Sequence, residues 1–181
     1  MKIIETPIAD VRIIETQPIT DKRGSFARWF CAKELKSVLD GRSIVQINHS
    51  KTTKKGSIRG LHFQKPPHGE MKLILCIKGR VWDVALDLRA GSRTFLQWHT
   101  EELSAENGRM LIIPEYCAHG FQVLEPESEL LYLHTEFYEP SSEGGIRHDD
   151  PLVAVQWPLP VADLSERDTA HPLLTTTFKG L

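Results

Sequence analysis

Apolar and polar side chains alternate along most of this chain in short runs, the period-two signature of half-buried strands. Val11–Thr16 and Ile44–Ser50 open the series, and Ser57–Phe63, Met71–Ile77, Val81–Leu88 and Phe95–Leu103 continue it. Met110–Ile113, Gly120–Leu124 and Leu130–Phe137 complete it. Turn residues punctuate the runs at Lys78-Gly79-Arg80, Arg89–Ser92, Glu106-Asn107-Gly108 and Glu125–Ser128. The first of these turns predicts a hairpin. One helix is expected over Ala32–Leu39, where Leu35, Val38 and Leu39 share a side, and a second short one from Ser165, whose hydroxyl suits an N-cap. The polar stretch Tyr138–Asp150 is expected as a surface connection or as a lid at a barrel mouth. Many short strands at this spacing predict an all-β sandwich or barrel with a few short helices. There is no internal repeat or linker, and 181 residues predict one domain, 1–181.

Composition adds mainly exclusions. The formal net charge of −2 points to neither nucleic acid nor an anionic membrane, so an anionic ligand must be met by a local basic cluster. Cys31, Cys76 and Cys117 are an odd, widely spaced set, which fits buried thiols in a reducing compartment better than a zinc pattern. The first residues carry acids and a proline instead of a secretory apolar segment, and no apolar run approaches the roughly 20 residues of a membrane span. A cytoplasmic location is expected.

The candidate chemistry begins with spacing. Gly56 lies six residues before His62; Gly108 lies six before Pro114, with His119 five further on. This layout resembles the two motifs of the cupin superfamily, a jelly-roll barrel. Cupins usually ligate a metal through two His and a Glu of the first motif and one His of the second. Here Gln64 occupies the second histidine position, and Glu70 is slightly displaced from the acidic one. Two histidines and an amide make a poor divalent site, so no metal is expected. The barrel interior is left for organic acid–base work.

Arg59-Gly60-Leu61-His62-Phe63-Gln64 narrows the resemblance to the dTDP-4-dehydrorhamnose 3,5-epimerase family. Asp21–Phe26, Gln46–Ser50, Lys72-Leu73, Leu103–Asn107, Ile113–Phe121, Tyr138–Gly144, Asp149–Pro151, Gln156–Pro158 and Leu164–Asp168 extend it over nearly the whole chain, in order. The resemblance implies an isomerase without a cofactor that inverts C3, C5 or both of a nucleotide-diphospho-4-keto-6-deoxyhexose in deoxysugar biosynthesis. It implies His62 as the base, Asp168 as the carboxylate that holds its tautomer, Tyr132 as the proton donor on the far face, and Lys72 as the cation beside the enolate. The residue types fit: imidazole titrates close to neutrality, and inversion needs an acid separate from the base. Arg23 and Arg59 are the candidates for the diphosphate, Tyr138 for stacking on the base, and Gln46, Asn48, His119, Glu143 and Arg167 for further substrate contacts.

Arg28 departs from the pattern, which usually has a glutamate there. Arginine only donates hydrogen bonds, which would suit cytosine N3 better than the N3–H of thymine, so a CDP-sugar is the alternative substrate. A second role for Arg28 is a phosphate contact. The family also implies a homodimer that exchanges N-terminal strands, so that Arg23 and Arg28 would serve a neighbouring subunit. His49, His68, His99, His134, His148 and His171 are expected to be surface or packing residues, and Lys51–Lys55 a solvated loop. The competing readings are a non-catalytic cupin that only binds sugar nucleotides, a metal-dependent cupin oxygenase or isomerase, and a ketoisomerase of the same fold.

Overall fold

The computed structural model describes residues 1–181. Thirteen strands follow one another as β1 (Lys2–Glu5), β2 (Arg12–Glu15), β3 (Ile19–Asp21), β4 (Gly24–Phe26), β5 (Gln46–Thr52), β6 (Ile58–Gln64) and β7 (Lys72–Lys78). They continue as β8 (Arg80–Asp87), β9 (Trp98–Ser104), β10 (Arg109–Ile113), β11 (Cys117–Val123), β12 (Ser128–His134) and β13 (Glu143–Gly145). A six-stranded sheet runs β1-β2-β10-β7-β12-β5, and a five-stranded sheet runs β13-β6-β11-β8-β9. β3 and β4 form a separate hairpin. All these pairings are antiparallel, and the architecture is the jelly roll expected from the cupin outline.

Strand alternation decides what each layer contains. Ile74 and Cys76 of β7 meet Val81, Ala85, Phe121, Val123 and Leu130 between the sheets, whereas Leu73 and Leu75 face outward under Leu35, Val38 and Leu39. The outer face of the five-stranded sheet is covered in the same way. There Leu61, Phe63, Val84, Leu86 and Ala118 pack under Ile146, Val153 and Val155 of the C-terminal segment. The central strands of both sheets are therefore buried on both faces, which is why runs such as Leu73–Ile77 read as nearly continuous apolar sequence.

The helices are shorter than the periodicity suggests. α1 covers only Lys36–Leu39, preceded by turns over residues 32–35, and Asp40 closes it in the left-handed region at φ 46°. The three apolar residues still share one face, but four residues suffice to place Val38 and Leu39 on the sheet. α2 covers Glu166–Ala170, capped by the Ser165 side chain as expected. β1, β3, β4 and β13 were not legible as strands. β3 and β4 are exposed throughout, so no burial imposes alternation on them. β13 lies inside the polar stretch read as a connection or lid; it pairs with β6. No helix is long and apolar enough to cross a membrane.

Candidate active site

The open end of the jelly roll holds a cavity of about 540 Å³, within the range of small-ligand sites. Its walls come from alternate residues of several strands: Gln46, Asn48 and Ser50 of β5, Lys72 of β7, His119 and Phe121 of β11, and Tyr132 and His134 of β12. Tyr138, Glu143 and Arg167 line the rim.

β6 supplies both Arg59 and His62 to this cavity, although three residues apart on a regular strand would face opposite ways. Phe121 pairs with Arg59 and His119 with His62, so β6 carries one extra residue against β11. The bulge re-aims the arginine into the cavity. Gly60 makes it possible: its φ is +100°, and a Cβ there would lie 2.5 Å from the His119 carbonyl oxygen.

The His62 ring donates through Nε2 to Asp168 Oδ1 at 2.6 Å. Asp168 is 3% exposed, and its other oxygen accepts the Gly60 N–H at 3.3 Å. Burial pushes this carboxyl up, but the hydrogen bonds and charge of His62, with Gly60 and Ser165, bring it down to about 2. It is an anion that fixes one imidazole nitrogen as N–H and leaves Nδ1 with the lone pair. Arg167 stands beside the ring, with a terminal nitrogen 3.1 Å from His62 Nε2, and is itself held by Glu143 at 2.9 Å. The Tyr138 hydroxyl donates to the same Glu143 at 2.9 Å.

On the opposing sheet, the Tyr132 hydroxyl shares a hydrogen bond with Ser50 Oγ at 2.9 Å. Burial pushes the Tyr132 phenol well above its ordinary range, so it holds its proton. Lys72 is 6% exposed; its ammonium donates to the His62 carbonyl at 3.1 Å and pairs with Glu70 at 3.1 Å. His119 is 6% exposed and its Nε2 faces both oxygens of Asp83, at 3.0 and 2.9 Å. Burial raises the Asp83 carboxyl, against the pull of His119.

The structure thus brings His62, Lys72, Tyr132, Gln46, Asn48, Arg59, His119, Tyr138, Glu143 and Arg167 around one cavity, with Asp168 behind His62. It leaves Arg23 and Arg28 outside. Arg23 is held by Asp21 at 2.6 Å on the exposed β3–β4 hairpin, and Arg28 by Glu34 at 2.5 Å. Within one chain, neither Arg23 nor Arg28 lines the cavity.

Of the histidines expected at the surface or in packing, His49 and His134 line the cavity, whereas His171 is a packing residue. His134 is joined to Glu70 at 2.6 Å, and His171 packs edge-on against His62 with ring centroids 6.2 Å apart. In the sequence, Asp83 and Ser50 are not singled out, and Glu70 figures only as a metal ligand. A usable signal existed: Tyr132 and His134, and Asn48 and Ser50, are each two apart on one strand, hence on one face. An aspartate within the apolar run Val81–Leu88 signalled a buried partner in the same way.

His62, Asp168 and His171 present donor atoms within 4.8 Å of one another. The Arg167 guanidinium beside them opposes a divalent cation, and Asp168 is already engaged by the imidazole. Gln64 spends its amide on the chain itself, donating to the His68 and Phe137 carbonyls at 2.9 and 3.1 Å and accepting from the Glu139 N–H at 2.6 Å.

Comparison with known proteins agrees with the residue pattern. A family profile described as dTDP-4-dehydrorhamnose 3,5-epimerase matches residues 5–176. An enzyme of that name from Salmonella typhimurium is 45% identical, covering 96% of this chain and 96% of its own. The crystal structure of a Bacillus anthracis dTDP-4-dehydrorhamnose 3,5-epimerase with TDP and PPi bound superposes with TM-score 0.92 at 39% identity, over 96% of this chain and 99% of that one. A Legionella pneumophila dTDP-6-deoxy-D-glucose-3,5-epimerase in complex with dTDP-4-keto-L-rhamnose gives TM-score 0.90 at 41% identity, over 95% and 92% of the two chains. This chain belongs to the dTDP-4-dehydrorhamnose 3,5-epimerase family of isomerases, which act on sugar nucleotides.

Proposed function

We propose that this chain epimerises C3 and C5 of a dTDP-linked 4-keto-6-deoxyhexose by proton removal and return, in deoxysugar biosynthesis. The observation that carries the reading is the placement of a carboxylate-held imidazole, His62–Asp168, in the same cavity as a phenol that keeps its proton, Tyr132. The C4 ketone acidifies its neighbouring C–H groups. His62 takes the proton, the C–H electron pair becomes the enolate π bond, and the negative charge moves to the C4 oxygen. Lys72 offers that oxygen a fixed cation in a largely water-excluded site. Tyr132 then delivers its proton to carbon from the far face, which inverts the centre; it recovers a proton from solvent through Ser50, and His62 returns its proton to solvent. Asp168 stabilises the imidazolium while it lasts.

Arg59 and Arg167 are the cations available to the diphosphate within this chain, and Tyr138 presents an exposed ring to the base. The cytidine alternative depends on Arg28, which Glu34 engages away from the cavity. Isothermal titration is expected to give tighter binding of dTDP than of CDP; the reverse order would restore the cytidine reading.

Proton NMR in deuterium oxide tests the chemistry. A dTDP-4-keto-6-deoxyhexose is expected to exchange C3–H and C5–H in the presence of the enzyme. His62→Asn should slow both by roughly 10²–10⁴-fold. Tyr132→Phe should stop inversion while deuterium still enters from the His62 face. Absence of exchange with the unaltered enzyme would sink the reading.

A further inference from the structure

Beside His62–Asp168, the cavity wall holds two imidazole–carboxylate pairs that the mechanism above does not use, His119–Asp83 and His134–Glu70, and the second of these reaches Lys72. His134 Nδ1 donates to Glu70 Oε2 at 2.6 Å, and the other Glu70 oxygen takes the Lys72 ammonium at 3.1 Å. On its far side His134 Nε2 meets the Asn48 amide nitrogen at 3.3 Å. The four side chains therefore form one chain of contacts: Asn48, His134, Glu70, Lys72. The His134, Glu70 and Lys72 side chains are 9%, 9% and 7% exposed, so little water is available to replace any link. Both Glu70 oxygens are occupied and both His134 nitrogens have partners, which fixes the tautomer and the orientation of the set.

We propose that His134 and Glu70 are positioning residues for Lys72. The inference rests on the reading of Lys72 as the cation beside the enolate. A lysine has four rotatable carbons in its stem and a point charge at its tip, so its position must be imposed from outside. Here Glu70 and the His62 carbonyl oxygen hold the tip. Glu70 is in turn held by His134, which stacks on Tyr132 with ring centroids 6.2 Å apart and planes 15° from parallel. His134 thus couples the enolate cation to the wall that carries the proton donor, and through Asn48 to a residue facing the sugar nucleotide. Glu70 has a second effect: its carboxylate compensates the ammonium in the resting site, so the buried cation is not left unpaired.

The test is a double-mutant cycle read by kcat, KM and dTDP affinity, with thermal melts to establish folding. His134→Ala is expected to lower kcat for C3–H exchange about 10- to 100-fold, with KM and the dTDP Kd within about twofold. His134→Asn keeps a donor where Nδ1 stands and should recover most of the loss. On a Lys72→Met background, His134→Ala should change the residual kcat by less than about twofold, because its effect passes through the lysine. If His134→Ala does not fold, Glu70→Gln carries the test. Its amide oxygen still accepts from His134 but no longer anchors the ammonium, and kcat should fall about fivefold or more at unchanged KM. A kcat within twofold of the unaltered enzyme in a folded variant overturns the proposal, as does an equal loss on the Lys72→Met background. A silent Lys72→Met substitution would overturn the reading of Lys72 itself, and the positioning role with it.

Discussion

Asp168 shows how one buried carboxylate ties chemistry to stability. Its folded pKa of about 2 lies below the ordinary aspartate value, so its ionised form is stabilised by folding. The sign follows: that contribution, roughly 2 kcal/mol, is present above about pH 4 and is lost as the pH falls toward 2. Urea titrations of the unaltered chain and of Asp168→Asn should differ most near neutrality and converge on acidification. At neutral pH the same substitution is expected to cost roughly 10²–10⁴-fold in kcat, because an amide can neither hold Nε2–H as an anion nor stabilise the imidazolium. The catalytic residues proposed here were legible through the resemblance to the family's motifs, which covers His62, Lys72 and Tyr132 on strands and Asp168 on α2. The supporting residues were harder to see. His134 reads as the end of an apolar run, and only the pairing of β12 with β7, His134 opposite Lys72, reveals which carboxylate it can reach. Asp83 and His119 lie 36 residues apart and meet only through the β8–β11 ladder.

At the scale of an element, β6 is the strand on which most depends. Its one-residue bulge against β11 sets Arg59 and His62 on the same side, and Gly60 is its steric condition. Gly60→Ala is expected to destabilise the fold by about 2 kcal/mol or more, since it combines a left-handed φ with a clash against backbone. A melting temperature lowered by roughly 4–8 °C would check this. The surviving folded fraction should lose activity too, as the bulge relaxes and Arg59 turns outward. Most strand cores were legible to within a few residues because two buried faces demand apolar side chains. The bulge was not. Arg59-Gly60-Leu61-His62 reads as plain alternation interrupted by a glycine, and the register against β11 is a property of the pair of strands.

For the whole molecule, the β3–β4 hairpin carries the clearest expectation. Ile19 and Phe26 are 73% and 71% exposed there, and Ile47, Phe137 and Tyr138 are exposed large side chains of β5 and the cavity rim. A second copy that accepts this hairpin would cover apolar surface and bring Arg23 toward a neighbouring cavity. Light scattering is therefore expected to give about twice the chain mass of 20.6 kDa, and Phe26→Asp to shift the protein toward that single-chain mass. A monomer at all concentrations would remove the neighbour from the account.

Gln64 shows what a change of ligand chemistry in such a barrel would entail. The residue stands where a metal-binding jelly roll would carry a ligand, yet its amide fastens three separate backbone points, at His68, Phe137 and Glu139. The last two flank Tyr138, which faces the cavity, and the same segment continues to Glu143. Gln64→His would place an imidazole there and in the same stroke remove the amide contacts that hold the segment carrying Tyr138 and Glu143. The position thus couples two properties: a substitution there toward a metal ligand also loosens the wall that carries Tyr138.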